Sequence, residues 1–320
     1  MKLLVHISRF FVAITFLFSG FVKLIDPLGS AYKFEEYFGA DVLNLEFLIP
    51  YALPFSILLI LAEIMLGVML LVGYLPKITS WSLLIIIIVF LFLTWYSAYY
   101  NKVTDCGCFG DAVKLSSWGT FYKNIVLVLF ILLLVLKQKL IKPLFSLNSV
   151  KWVTFLSLFA FLYITYYVLI HLPIIDFRPY AIGKNIAEGM KYIGEKEPAI
   201  HDFFLESVEG EDLTNQILTT DHVLLVVAYD LSKSDIQGFS KIKITTDEAL
   251  KKGYAVYILT SSLNEEFESI KEDFKLNFDL LFCDGTTLKT IIRANPGILT
   301  LQNGTVTGKW SWVDAEAIKL

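Results

Sequence analysis

A chain of 320 residues that is 56% hydrophobic and 18% charged, with a mean hydropathy of +0.62, lies outside the usual range of soluble globular proteins. Its net charge of −4 is unevenly spread: residues 1–175 hold 12 Lys/Arg against 8 Asp/Glu, whereas residues 176–320 hold 15 against 23. Neither half offers a basic face with interleaved aromatics, which argues against a nucleic-acid partner, and three cysteines are too few for a disulfide-stapled scaffold.

Five apolar runs, near residues 3–25, 51–74, 78–99, 121–136 and 152–172, are read as bilayer spans, which need about 20 residues each. The lipid bilayer is thus the first partner. The opening run carries Arg9 well inside it and Lys23 near its end, and no small-x-small cleavage site follows, so it reads as a retained span and not a signal peptide. Lys2, Lys77 and the group Lys137, Lys139, Lys142 and Lys151 occupy one set of loops; residues 26–49 carry five acidic residues against Lys33 alone. By the positive-inside rule the N-terminus faces the cytoplasm of a bacterial inner membrane. Five spans then place residues 100–120 and the C-terminal part outside, in the periplasm where disulfides persist.

The polar loop after the third span reads Asp105-Cys106-Gly107-Cys108-Phe109-Gly110. Two thiols one residue apart, beside glycines, form a candidate redox pair, because a small strained disulfide ring is readily exchanged. A structural disulfide or two unpaired thiols is the alternative. A metal site is the weaker reading, since no histidine or third cysteine lies nearby in sequence.

Glu63 stands in the middle of the second span, where a carboxylate is expensive. Lys23 and Arg9 are its candidate partners. The pairing serves either a proton or quinone site within the bundle or a charge lock between two helices. Ser19-Gly20 and Gly67 would let those helices approach closely. The aromatics of 95–100 and 118–122 read as an interfacial belt, and the four histidines show no metal-ligand spacing.

Residues 176–194 read as a linker leaving the membrane, and residues 195–320 as an α/β domain. Continuous apolar runs at 223–228, 254–260 and 278–282 are expected as buried strands, separated by helices over 235–252 and 265–274, with a short helix over 288–293. Asn303-Gly304 between two short apolar runs predicts a closing hairpin. Cys283, after the third strand, is expected to be a small buried hydrophobe, with exchange against the loop cysteines as the alternative.

The order of Arg9, Phe18-Ser19-Gly20-Phe21-Val22-Lys23, Ala62-Glu63-Ile64-Met65-Leu66-Gly67 and Cys106-Gly-Cys-Phe-Gly110 resembles the DoxX-like family of four-helix membrane proteins, and within it the MauE branch. The resemblance covers about residues 1–140 and implies a four-helix domain over residues 1–145, to which 146–175 add a fifth transmembrane helix. It implies a redox-linked role, with thiol–disulfide chemistry or disulfide maturation of an exported or membrane protein client and a membrane quinone as candidate cofactor. The C-terminal domain resembles a thioredoxin fold, with Asn295-Pro296 where thioredoxins carry a cis-proline and contact partners. However, Ala228-Tyr229-Asp230-Leu231-Ser232-Lys233-Ser234 follows the first strand without the expected cysteines. Two functions therefore stand: thiol–disulfide exchange by Cys106 and Cys108, or a non-catalytic membrane-anchored assembly module that binds a partner through the thioredoxin-like domain. Pull-down of a partner that survives loss of both loop cysteines would favour the second.

Overall fold

The structure, a computed structural model, describes the chain except Thr104, Asp105, Cys106, Cys108, Lys114, Ile193, Glu195 and Lys196. It divides into two compact units, residues 1–168 and 169–320.

The first unit is helical: α1 (Lys2–Ile25), α2 (Pro27–Phe38), α3 (Ala52–Val72), α4 (Pro76–Tyr100), α5 (Ser117–Leu136) and α6 (Leu147–Ile170), the last running just past its boundary. Among the described residues, five helices are long and apolar enough to cross a membrane: α1, the 46–72 stretch containing α3, α4, α5 and α6. The protein is a multi-pass membrane protein. α1 packs along α3 and α4 along α5, and contacts of α1 with α5 and of α3 with α4 close a four-helix bundle. Val12, Phe16, Leu70, Leu83, Ile87, Ile131 and Leu134 fill its interior, while Ile14, Leu58, Ile85 and Leu129 are exposed. Exposed apolar side chains are what a lipid solvent asks for, so packing inside has to come from close fit. α6 buries only Val150, Thr154, Thr165 and Val168, as an added span would.

α2 lies where sequence reading placed only a loop. Its start is specified locally: the Asp26 carboxylate accepts from Gly29 N at 3.0 Å and Pro27 takes the first helical position. Pro27 O accepts from Ser56 Oγ at 2.9 Å, and Tyr37 Oη shares a 3.2 Å hydrogen bond with Ser97 Oγ, fastening α2 to α3 and α4.

The second unit runs α7 (Ile186–Gly189), β1 (Glu206–Ser207), α8 (Thr214–Thr219), β2 (Val223–Val227), α9 (Ile236–Lys251), β3 (Ala255–Thr260), α10 (Asn264–Phe274), β4 (Asp279–Phe282), α11 (Gly285–Ile291), β5 (Gly297–Gln302) and β6 (Thr305–Ser311). Its six strands are ordered β1-β4-β3-β2-β5-β6; β2, β3 and β4 are parallel, and β5 and β6 antiparallel. β2 is buried at every position because both faces are covered. Val223, Leu225 and Val227 meet Leu288 and Ile291 of α11 with Ile186 and Ile217, whereas Leu224 and Val226 meet Phe239 and Ile242 of α9 and Phe267 of α10. The expected hairpin turns on Asn303 (φ 47°) and Gly304 (φ 73°), and the Asn295–Pro296 bond entering β5 is cis. A central strand flanked by a parallel neighbour and an antiparallel closing hairpin makes this unit thioredoxin-like.

The stretch expected as a linker over 176–194 contributes to this unit instead. Gly183 N donates to Val306 O and Ile186 N to Gly304 O, both at 2.8 Å, so the segment covers the outer edge of β6. Tyr180 and Ile186 enter the core. Arg178 grips Asp176 through Nε at 2.7 Å and Nη2 at 3.0 Å, and Lys309 Nζ of β6 reaches the same carboxylate at 2.6 Å. Just after α6, His171 Nδ1 lies 2.8 Å from Asp314 Oδ1.

Candidate functional site

The first polar centre follows from how closely α1 and α3 approach. A Cβ on Gly20 would stand 2.8 Å from Ile64 Cβ and 3.0 Å from its backbone, and one on Gly67 would stand 2.9 Å from Leu17 Cγ. Only glycine permits this contact, and it brings Lys23 Nζ within 2.7 Å of Glu63 Oε2. Ser19 Oγ accepts from Lys23 Nζ at 2.8 Å and donates to Glu63 Oε1 at 3.4 Å. The ammonium also lies 5.6 Å from the centroid of the Phe90 ring. Both charged side chains are almost wholly buried.

Arg9, the other candidate partner for Glu63, is engaged elsewhere. Its Nε and Nη2 donate to Leu70 O and Leu71 O, and its Nη1 to Lys142 O, each at 2.9 Å. The end of α3 leaves carbonyls without helical partners, and the guanidinium fork satisfies two of them. Gly73 makes room: it sits at φ 77°, and a Cβ there would stand 2.6 Å from Lys142 O and 2.7 Å from Arg9 Nη2. Arg9 is a structural clamp at the end of the bundle remote from Lys23.

Cys106 and Cys108 lie outside the described residues, but their shared neighbour Gly107 and the following Phe109–Val113 do not. Gly107 (φ 63°) packs on the aliphatic stem of Lys33 from α2, with its would-be Cβ 3.1 Å from Lys33 Cγ. Phe109 meets Phe18 at 5.4 Å between ring centroids, and Lys123 Nζ stands 4.3 Å over the Phe109 ring. Gly110 abuts Val22. This part of the loop therefore folds against the Lys23 end of α1. Beneath it, a cavity of about 70 Å³ is bounded by Lys23, Lys33, Tyr37, Ser56, Phe90 and Gly107, with Phe34, Leu59, Ile60 and Leu93 supplying apolar wall. Sequence reading identified Lys23 and the cysteine loop but not their common cavity, and it missed Lys33 because α2 was read as loop.

In the second unit, the segment that would hold a thioredoxin dithiol is knitted to the proline loop. Asn295 Nδ2 donates to Asp230 O at 2.7 Å, Ser234 Oγ to Asn295 Oδ1 at 3.0 Å, and Asp235 N to Asn295 O at 3.1 Å. The Asn295 side chain thus holds two loops together, and Pro296 packs near Gly238 of α9. Cys283 is buried in the core among residues that include Leu281 and Leu288, and burial pushes its thiol up to about 12. At neutral pH it stays protonated and is a poor nucleophile.

The helical unit has a sequence counterpart. Residues 1–137 match the family model described as methylamine utilisation protein MauE. The MauE-matching segment ends at α5, so it contains the α1–α5 bundle, the Lys23–Glu63 pair and the Cys106–Cys108 loop, and leaves out α6 and the thioredoxin-like unit. No curated protein is similar enough to match. Among solved structures, the thioredoxin domain of a thiol-disulfide oxidoreductase from Bacteroides vulgatus aligns at 13% identity over 40% of this chain and 87% of its own, with a TM-score of 0.30. A secreted Mycobacterium tuberculosis disulfide oxidoreductase aligns at 11% identity over 36% of this chain and 92% of its own, with a TM-score of 0.28. A thioredoxin-like protein from Bacteroides caccae aligns at 12% identity over 87% of each chain, with a TM-score of 0.30. Similarity at this level transfers neither activity nor partner.

Proposed function

We propose that the protein is a membrane-bound thiol–disulfide oxidoreductase of the DoxX-like, MauE type, with Cys106 and Cys108 as its exchanging pair. The observation that carries this reading is the shared cavity: Gly107, covalently joined to both cysteines, lines the same space as the buried Lys23 ammonium. The matched family and the thioredoxin-like unit support a redox setting. In the balanced cycle, a client dithiol becomes a disulfide as the Cys106–Cys108 disulfide is reduced to two thiols. Reoxidation of those thiols releases two electrons and two protons, which a membrane quinone accepts on becoming the quinol. The apolar walls at Leu59, Phe90 and Leu93 suit a ring, and Lys23 offers a donor to a carbonyl oxygen while Glu63 and Ser19 hold it in place.

The lysines of 137–151 orient the N-terminus to the cytoplasm and the cysteine loop and thioredoxin-like unit to the periplasm. That unit then receives the exported or membrane protein client near Pro296, without redox chemistry of its own.

The test is in-cell trapping with the single variants Cys106→Ser and Cys108→Ser, read by acid quench, alkylation and mass spectrometry. One variant should accumulate a mixed disulfide with a client, and the wild-type pair should be a mixture of oxidised and reduced forms. A fully oxidised, inert pair with no trapped client would overturn the proposal. It would favour the second reading, an anchored binding module, which the internal bonding of Asn295 with Asp230 and Ser234 also suits.

A further inference from the structure

We infer that one face of α2 selects what the cavity beside Lys23 holds: a neutral ring with two carbonyl oxygens, one bonded to Lys23 and the other to the hydroxyl of Ser30. This rests on the quinone reading of that cavity and supplies its second polar contact. Ser30, Lys33, Phe34 and Tyr37 all bound the cavity. They stand at i, i+3, i+4 and i+7, the spacing that puts side chains on one face of a helix. α2 is fastened near both ends, by the bond from Ser56 Oγ to Pro27 O and by the one between Tyr37 and Ser97. Ser30 therefore belongs to a fixed wall.

The donors on the cavity wall single out two groups. Ser56 Oγ gives its proton to Pro27 O, Thr94 Oγ1 gives its own to Phe90 O, and Tyr37 Oη is engaged with Ser97. Glu36 Oε2 holds Lys33 Nζ at 2.8 Å. Lys23 Nζ spends two of its three N–H groups on Ser19 and Glu63, which leaves one. Ser30 Oγ has no hydrogen-bond partner among the described residues. Charge then decides the class of ligand. Glu63 already matches Lys23, and Glu36 matches Lys33. An anion entering the cavity would leave one negative charge without a counter-ion at membrane depth, where that is expensive. A neutral ring with two acceptors uses both remaining donors, disturbs neither ion pair, and meets the apolar surface of Phe34, Leu59 and Leu93.

The test reads binding, not turnover. Oxidised full-length protein in detergent micelles is titrated with a radiolabelled benzoquinone bearing a decyl tail, against protein-free micelles. Ser30→Ala should weaken binding about three- to tenfold, the loss of one neutral hydrogen bond. Ser30→Thr, which keeps the hydroxyl, should bind as wild type does. The analogue with the same ring and tail but no carbonyls should bind wild type and Ser30→Ala alike, which a variant that merely distorts α2 would not reproduce. Equal affinity of wild type and Ser30→Ala for the quinone, or equal weakening of both ligands, would overturn the inference and leave the quinone reading intact. Decanoate bound in preference to the benzoquinone would overturn the neutral class. No binding above the micelle background would remove the quinone reading itself, and the inference with it.

Discussion

Lys23 and Glu63 illustrate what a single residue contributes at membrane depth. Each charge is tolerable only because the other lies 2.7 Å away, with Ser19 bonded to both. Glu63→Gln should destabilise the bundle by about 3–5 kcal/mol, since it strands a buried ammonium. The double change Lys23→Met with Glu63→Leu should recover most of that loss while abolishing any function of the pair. Thermal unfolding in detergent measures the first, and the trapping assay for Cys106 and Cys108 the second. Sequence alone named both residues, but left the partner of Glu63 open between Lys23 and Arg9. Hydropathy reports depth in the bilayer; it says little about which face of a helix meets which neighbour.

Among the elements, the α1–α3 contact decides the geometry of the site. Alanine is the better helix former, so Gly20→Ala ought to stabilise an isolated α1 by roughly 1 kcal/mol. In the bundle the new methyl would meet Ile64 Cβ at 2.8 Å and its backbone at 3.0 Å, and backbone yields poorly. The expected net result is a loss of about 1–3 kcal/mol, seen as a lower melting temperature in micelles. If Gly20→Ala is neutral or stabilising, the close approach is not what holds Lys23 to Glu63. The five spans and the main strands were legible because long apolar runs and buried parallel strands are written plainly in hydropathy. α2 was not, although Asp26-Pro27 is a helix-start signal, because its mixed composition reads as a loop between spans. β1 is two residues long and the cover over β6 is irregular backbone, so neither leaves a periodic pattern.

At the scale of the whole molecule, the thioredoxin-like unit carries a charge cluster that ties its stability to pH. In the thioredoxin-like unit, burial and the nearby Arg178 depress the Lys309 ammonium to about 8, against the opposing pull of Asp176. Burial alone would raise the Asp176 carboxyl, but Arg178 and Lys309 outweigh it and hold it below its usual value. With a folded pKa lowered from 10.5, Lys309 binds fewer protons folded than unfolded between about pH 8 and 10.5, so its contribution to stability grows as pH rises through that window. Cys283 acts oppositely above pH 9, because its thiol ionises only on unfolding. The clean measurement is therefore a difference: relative to Lys309→Met, wild type should gain on the order of 3 kcal/mol between pH 8 and 10.5. Denaturant titrations of the full chain, followed through the tryptophans at 310 and 312, read it directly. Parallel curves would mean that Lys309 keeps an ordinary affinity for its proton. This charge cluster was invisible in sequence, where Asp176 and Arg178 read as linker and Lys309 stands more than a hundred residues from both.

The Arg9 clamp has a consequence for how the protein is made. Its guanidinium is made well before its acceptors, two of which lie 61 and 62 residues downstream and the third 133. At about 5–20 residues per second, the chain needs roughly 7–27 s after Arg9 is incorporated before Lys142 exists at all. During that interval the first helix carries a cation with no final resting place, and it must linger beside the insertion machinery or keep its arginine near the headgroups. Closure of the bundle thus waits for the stretch after α5, which makes that stretch the latch of assembly and not merely a connection between spans.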